Sequence, residues 1–261
     1  MSERVQLRWL GTAGFHLRYR GHELLLDPFL SRLPGASPVI RARVEDFAHV
    51  SLILLSHGHF DHAQDAAALA RVSGAEVYGP EVTCRVLEAQ GLPRARLHAN
   101  ERHAEVAFAG ARIRIVPSRH IRFDASLIAR TTALVLRGGV GPELLRRAEA
   151  YPEGSSSELL LDFDGYRILF SGSGGGDYRA LAKLAPDCFL LPFAGRTDVV
   201  DYYLRALKLL RPRTVVLHHF DDFFPSFVVD YPVQAFCTRA ARELPEMQLV
   251  VPEPEEWFGL P

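Results

Sequence analysis

Three histidines and an aspartate fall within six residues in the stretch Leu55-Ser56-His57-Gly58-His59-Phe60-Asp61-His62. They directly follow the apolar run Val50–Leu55. The whole chain holds only 11 histidines, so placing three at one strand end needs a chemical reason. His57 and His59 are two apart, and at the end of an extended strand such residues point the same way. Two neutral imidazoles converging on one point form a metal-ligand arrangement, and imidazole suits zinc. Asp61 and His62 come as the chain turns into a helix and point to a different side of the turn. One loop thus serves two adjacent metal positions, and Gly58, with no Cβ, lets it curl tightly. The plainer alternative makes Asp61 the N-cap of the following helix and the histidines exposed loop residues. Three histidines in this pattern after a buried strand weigh against it.

The elements that must position these residues are legible from hydrophobic periodicity. Val5–Trp9, Phe15–Tyr19 and Glu23–Leu26 pattern as strands, and Asp27-Pro28 breaks the third. Ser51–Leu55 is a continuous apolar run, as in a strand buried on both faces. Gln64–Val72 is Ala-rich and helical. A strand at Glu76–Tyr78 and a helix at Glu81–Gln90 follow, the helix stopping at Gly91 and Pro93. Strands are expected at Ala104–Ala109, Ala111–Val116 and, from local composition, Ala133–Leu136. Leu159–Phe163 and Tyr166–Phe170 flank Asp164-Gly165, a strong hairpin signal because Asp-Gly tolerates positive φ. Then come a helix at Tyr178–Leu184, a strand at Cys188–Pro192, a helix at Val199–Leu210, a strand at Thr214–Leu217, a helix at Pro232–Leu244 and a strand at Gln248–Val251. The least regular stretch, 121–157, patterns as an insertion or lid carrying a helical piece at Pro142–Ala150. The whole implies one domain over 1–261, with two strand-rich layers covered by helices.

The His57-x-His59-x-Asp61-His62 pattern resembles the HxHxDH motif of the metallo-β-lactamase superfamily, and the resemblance extends over most of the chain. Asp27 in LLLDPFL is similar to that family's buried aspartate, which supports the metal loop from behind. His120 in VPSRH is similar to its third-motif histidine, and Leu217-His218-His219-Phe220-Asp221-Asp222-Phe223 to its last histidine motif. The resemblance implies an α/β (α+β) fold, a four-layer αββα sandwich with the metal site at one sheet edge. It implies that His57, His59 and His120 hold a first metal, and that Asp61, His62 and one of His218 or His219 hold a second. His219 is favoured because it stands immediately before Phe220-Asp221-Asp222-Phe223. If the strand continues, His218 faces the opposite way.

One position departs from the family pattern. Where the family places an aspartate bridging both metals, after a strand and a glycine, this chain has Ser173 in Phe170-Ser171-Gly172-Ser173. A neutral hydroxyl offsets the repulsion between two dications poorly, which weakens the second site. Asp177 lies beyond the glycines, and its expected role is N-cap of the Tyr178 helix. A zinc ion is expected, with iron or manganese as alternatives. A three-histidine zinc site leaves a position for water, lowering its pKa to about 7. The resulting hydroxide attacks an ester or lactone, an amide or a phosphodiester, with Asp61 as the catalytic residue that orients the nucleophile and takes its proton.

Composition narrows the alternatives. Lys plus Arg number 30 and Asp plus Glu 31, a formal net charge of −1. That balance gives no basic excess for nucleic acid, so the expected partner is a small-molecule substrate. Cys84, Cys188 and Cys237 are too scattered for a disulfide framework or a cysteine-based zinc site. No run approaches the ~18 apolar residues of a membrane span, and the opening MSERVQLRWLG lacks a secretory signal's apolar stretch. A cytoplasmic protein is expected. Arg119, Arg122 and Arg130 are candidates to meet an anionic substrate, His98 and His103 pattern as surface histidines, and part of the cluster Phe220, Phe223, Phe224 and Phe227 is expected to line an apolar pocket. Two other functions remain open: a non-catalytic metal- or ligand-binding protein on the same fold, which the Ser173 departure favours, and an iron-dependent redox enzyme.

Overall fold

A computed structural model describes residues 5–102, 105–136, 141–225 and 231–260. The first half runs β1 (Gln6–Trp9), β2 (Phe15–Tyr19), β3 (His22–Leu26), β4 (Val50–Leu54), α1 (Phe60–Ala63), α2 (Ala66–Ser73), β5 (Glu76–Gly79), α3 (Glu81–Ala89) and β6 (Leu97–Ala99). Next come β7 (Glu105–Phe108), β8 (Ala111–Ser118), α4 (Ala125–Leu136), α5 (Gly141–Ala150), β9 (Ser156–Phe163) and β10 (Tyr166–Ser171). The last part is α6 (Tyr178–Ala182), β11 (Cys188–Pro192), α7 (Val199–Leu210), β12 (Thr214–His218), α8 (Val233–Glu243), β13 (Gln248–Val250) and β14 (Trp257–Gly259).

These strands form two seven-stranded sheets, in the orders β14-β1-β2-β3-β4-β5-β6 and β13-β12-β11-β10-β9-β8-β7. Alternating side chains divide each sheet between two cores. Leu7, Phe15 and Leu54 from one sheet meet Ile113, Leu161 and Leu190 from the other in the space between them. The opposite faces take Leu25, Ile53 and Val77 against Ala66, Leu69 and Leu87 of α2 and α3, and Leu169, Phe189 and Val215 against Tyr203, Leu207 and Phe236 of α7 and α8. This is the α/β sandwich of four layers, αββα. It explains the unbroken apolar runs of β4 and β11, which are covered on both faces. The Asp164-Gly165 hairpin forms with positive φ at both residues and pairs Phe163 with Tyr166.

The parallel ladders β3-β4-β5-β6 and β10-β11-β12-β13 bring strand carboxyl ends to one edge. Open α/β sheets bind ligands at such edges. The chain leaves β4 into His57, β10 into Gly172 and β12 into His219 there.

Two local expectations change, and the plainer alternative for Asp61 falls. Ala133–Leu136 is the last turn of α4, not a strand. Its short apolar run Ala-Leu-Val-Leu suggests extension, but Leu127 and Thr131, four apart, share a helical face that lines a cavity, and that packing outweighs the local pattern. The single helix expected over Gln64–Val72 is two helices, α1 and α2. Asp61 is not the N-cap: His59 is, and Asp61 lies in the first turn of α1. His103 and Phe227 lie outside the described residues, as does the side chain of Arg130. Among the described residues, no helix is long and apolar enough to cross a membrane.

Leu190 is completely buried between the sheets, whereas Leu209 on α7 is 42% exposed. Leu190→Ala is expected to cost ~2–5 kcal/mol and Leu209→Ala under about 0.5 kcal/mol. Urea denaturation midpoints check the contrast, and equal losses would contradict this account of the core.

Candidate metal centre

The site is built on Asp27, which follows β3 with φ +39 and is completely buried. Its carboxylate accepts hydrogen bonds from the Ser56 amide at 2.6 Å, from the Ser56 hydroxyl and from His62 Nδ1 at 2.7 Å. Ser56 has one hydroxyl proton. With that proton given to Asp27, Ser56 Oγ accepts from His57 Nδ1, 3.0 Å away. The lone pair of His57 is then on Nε2, which faces His59 Nδ1 at 3.1 Å. By the same logic His62 presents Nε2. His120 donates Nδ1–H to the Ile121 carbonyl at 2.9 Å and also presents Nε2. Such outer hydrogen bonds set which nitrogen of a histidine is free to ligate.

Two clusters of donor atoms result, each with its atoms within 4.8 Å of one another: His57, His59 and His120, and Asp61, His62 and His219. Asp27, His57 and His62 form a third such group, which joins the two through the buried carboxylate. The rings of His57, His59 and His120 stand 4.8–5.0 Å apart, centre to centre. Asp61 Oδ2 lies 3.3 Å from His219 Nε2 and 3.5 Å from His62 Nε2.

Electrostatics sort these groups by role. Burial holds His57 well below the usual imidazole range and pulls His59 down to about 4. Burial lowers His120 as well. All three are therefore neutral at pH 7, with lone pairs available. Burial opposes ionisation of Asp61, but the imidazoles of His62 and His219 outweigh it and hold the carboxyl well below its ordinary range. Burial also opposes protonation of His62, but Asp61 and Asp27 reverse the balance and raise it. The neutral imidazoles of His57, His59 and His120 beside the ionised Asp61, with His62 held between two carboxylates, make a donor set that fits a divalent metal.

The two histidines at the end of β12 separate cleanly. His218 points into the core, stacked on Phe170 at 5.5 Å and edge-on to Phe15 at 5.3 Å. At His219 the backbone turns left-handed, φ +60, and its amide donates to the Thr12 carbonyl. That turn carries the ring out to Asp61. Asp177 caps α6 through the Arg179 and Ala180 amides and takes no part in the cluster.

The loop after β10 runs very close to Asp27. A Cβ on Gly172 would lie 1.9 Å from Ser56 Oγ and 2.6 Å from Asp27 Oδ2, so only glycine passes there. Gly174 pairs with His120, which leaves Ser173 between the two contacts, on the cavity wall. Gly58 is constrained likewise, since its Cβ would lie 2.2 Å from the Pro152 carbonyl oxygen.

Sequence reasoning missed Glu158. It is 1% exposed, accepts from Ser118 Oγ at 2.8 Å, and lies on β9 beneath the Gly172–Gly176 loop. Burial pushes its carboxyl up to about 7. The available signal was an acidic residue within the otherwise neutral run Ser155–Leu161.

A cavity of about 390 Å³ opens on the cluster. Phe223 and Phe224 line it, while Phe220 stacks on Trp9 at 5.1 Å instead. Arg119 and Arg122 are exposed and do not line the cavity. His98 pairs with Glu76 at 2.6 Å on the surface, stacked on Tyr78.

This sandwich, with histidines and aspartates gathered at its strand ends, defines a class. A family model described as a beta-lactamase superfamily domain matches residues 22–220, and the chain belongs to that superfamily, in its metallo-β-lactamase branch. Within it, a "UPF0173 metal-dependent hydrolase" of Rubrobacter xylanophilus is 28% identical over 98% of this chain and 96% of its own. One of Carboxydothermus hydrogenoformans, with the same description, is 29% identical over 84% and 86%. Among solved structures, Igni18, a metallo hydrolase from Ignicoccus hospitalis, superposes with a TM-score of 0.69 at 21% identity, covering 98% of both chains.

Glu158 yields a pH prediction. Its folded pKa of about 7 lies above the unfolded 4.5. The protonated carboxyl therefore favours the fold fully below pH 4.5, and that contribution is lost as pH rises through 7. In metal-stripped protein, Glu158→Gln should gain stability relative to wild type between pH 5 and pH 8, on the order of 2–3 kcal/mol. Thermal melts at the two pH values check this, and a difference independent of pH would show that Glu158 does not titrate there.

Proposed function

We propose that this chain is a metal-dependent hydrolase acting on an ester or lactone, an amide or a phosphodiester. The observation that carries this is the convergence of His57, His59 and His120, with donor atoms within 4.8 Å and imidazoles kept neutral by burial. These three would hold the first ion, and Asp61, His62 and His219 the second. Zinc suits this donor set best, with iron or manganese as alternatives. A zinc ion held there lowers the pKa of a bound water to about 7 and so supplies a nucleophile at neutral pH.

The chain's own groups do the rest. Asp61, kept ionised by His62 and His219, accepts a hydrogen bond from the attacking water and takes its proton. Asp27 orients His57 through Ser56 and His62 directly, which fixes both rings before substrate arrives. Ser173 takes the position of a bridging carboxylate, and its neutral hydroxyl leaves the second ion less tightly held. That substitution also favours the second reading, a protein that binds metal or ligand without turning it over. The partner is a small molecule received by the cavity, with α4 and α5 as its cover. Free thiols at Cys84, Cys188 and Cys237 suit a cytoplasmic setting.

Elemental mass spectrometry of protein purified without a metal-affinity tag tests the centre. About one to two ions per chain are expected, and His57→Ala should lose the first ion along with hydrolysis, by on the order of a thousandfold. Unchanged activity in that variant would sink the mechanism. Ser173→Asp should raise the metal content towards two per chain; an unchanged ratio would show that Ser173 is not at the bridging position.

A further inference from the structure

The cavity beside the metal centre has two unlike ends. At one stand His59, Asp61, His120 and His219. The rest of its wall is apolar and comes largely from the segment between β8 and β9, with Ile121, Phe123, Leu127, Leu144 and Leu145. Leu127 is 6% exposed, whereas Phe123 and Leu145 are 50% and 58% exposed. The apolar surface therefore runs from the buried interior out to the rim. About 390 Å³ is the size of a small-ligand site.

The charge of this wall is the informative feature. Among the described residues that line it, none is Lys or Arg, while Asp61, Asp221 and Asp222 are present. The neighbouring guanidinium groups are committed elsewhere. Arg147 reaches across the Phe60 ring and pairs with Glu143. Arg32 is ion-paired with Asp221. Arg196 is held by Asp198 and by the Arg122 carbonyl. A phosphodiester keeps a negative charge at every stage of hydrolysis, and along this wall no Lys or Arg side chain supplements the metal end in replacing the hydration such an anion loses. An uncharged substrate pays no such penalty and gains from burying an apolar arm.

We infer that the substrate is an uncharged acyl compound, an ester or an amide, open-chain or cyclic, whose apolar arm lies along α4 and α5. This rests on the hydrolase reading above and narrows it. In the reaction the acyl carbon gains an oxygen from water and its bond to the leaving oxygen or nitrogen breaks. Of the two protons of water, one ends on the leaving alcohol or amine and the other is released from the acid.

The test uses the metal-loaded full chain with p-nitrophenyl acetate, butyrate, hexanoate and octanoate, and with bis(p-nitrophenyl) phosphate. KM should fall roughly two- to fourfold per added methylene until the cavity is filled. The phosphodiester should be turned over at least a hundredfold less efficiently than the octanoate. Leu145→Glu, at an exposed position that tolerates charge, should cut the octanoate-to-acetate ratio of kcat/KM about tenfold with the metal content unchanged. Faster turnover of the phosphodiester, or a KM independent of chain length, would overturn the inference and leave the hydrolase reading standing. If nothing is turned over although metal is bound, the hydrolase reading fails. A binding assay then decides this one separately, using displacement of the neutral fluorophore N-phenyl-1-naphthylamine. Displacement by the octanoate and not by the phosphodiester, weakened by Leu145→Glu, supports the uncharged apolar site. Equal displacement by both overturns it.

Discussion

One buried carboxylate organises the centre. Asp27 has no contact with solvent, and an ion so placed is tolerated only if hydrogen bonds replace its lost hydration. Two come from Ser56 and one from His62. Those bonds tie the end of β3 to the end of β4 and to α1, so the loop carrying His57, His59 and Asp61 has its ends fixed to one point. The chain has adapted around it. Asp27 itself takes a backbone conformation that L-residues rarely adopt, and Gly172 gives up a side chain so that the loop after β10 can pass. A Cβ at Gly172 would strike both Asp27 and its partner Ser56, which couples the second sheet to the same anchor.

The centre works against folding elsewhere. Burial depresses protonation of His57, His59 and His120, and the imidazoles also disfavour charge on one another. Hydrogen bonding in this region is also incomplete, with His219 Nδ1 buried and lacking a partner. Functional sites accept local cost that the surrounding packing sustains. Here the two sheets supply that support, because the candidate ligands leave different strands: His57 after β4, His120 after β8, His219 after β12. Sheet-to-sheet packing through Phe15, Phe170 and Leu190 thus sets distances between imidazoles that are remote in sequence.

How much of this was legible depended on how local each signal was. The loop from His57 to His62 is contiguous, and its strand-end spacing pointed to metal ligation before any fold was known. His120 and His219 carry no such local signature, and only resemblance to a family pattern singled them out. The structure brings them to the cluster by a left-handed turn at His219 and a pairing of His120 with Gly174, neither encoded in residue spacing. The apolar run of β4 announced a strand covered on both faces, and the Asp164-Gly165 hairpin was readable from turn chemistry alone. α4 differs from expectation at Ala133–Leu136 because a short apolar run fits a strand or a helix equally, while its cavity-facing spacing of Leu127 and Thr131 becomes meaningful only with the cavity in place. The role of Glu158 was invisible for a similar reason: a glutamate in a strand is ordinary until both faces of that strand prove to be covered.

Chemistry and recognition are held by different parts of the chain. The candidate ligands sit at strand ends and in the first turn of α1, whereas the apolar wall is made by the helices between β8 and β9. That segment is tethered to both halves of the sandwich. Asp124, at the start of α4, accepts from the Thr197 amide at 2.6 Å and hydroxyl at 2.9 Å, on the side of the second sheet. Arg147 of α5 donates to Gln64 at 3.1 Å and to the Ser31 carbonyl at 3.2 Å, on the side of the first. A wall anchored across the seam keeps a defined distance from the centre without sharing residues with it. Substitutions along α4 and α5 can therefore reshape what is admitted while Asp27 and the histidines it orients stay as they are, and in this scaffold substrate range can change independently of the centre.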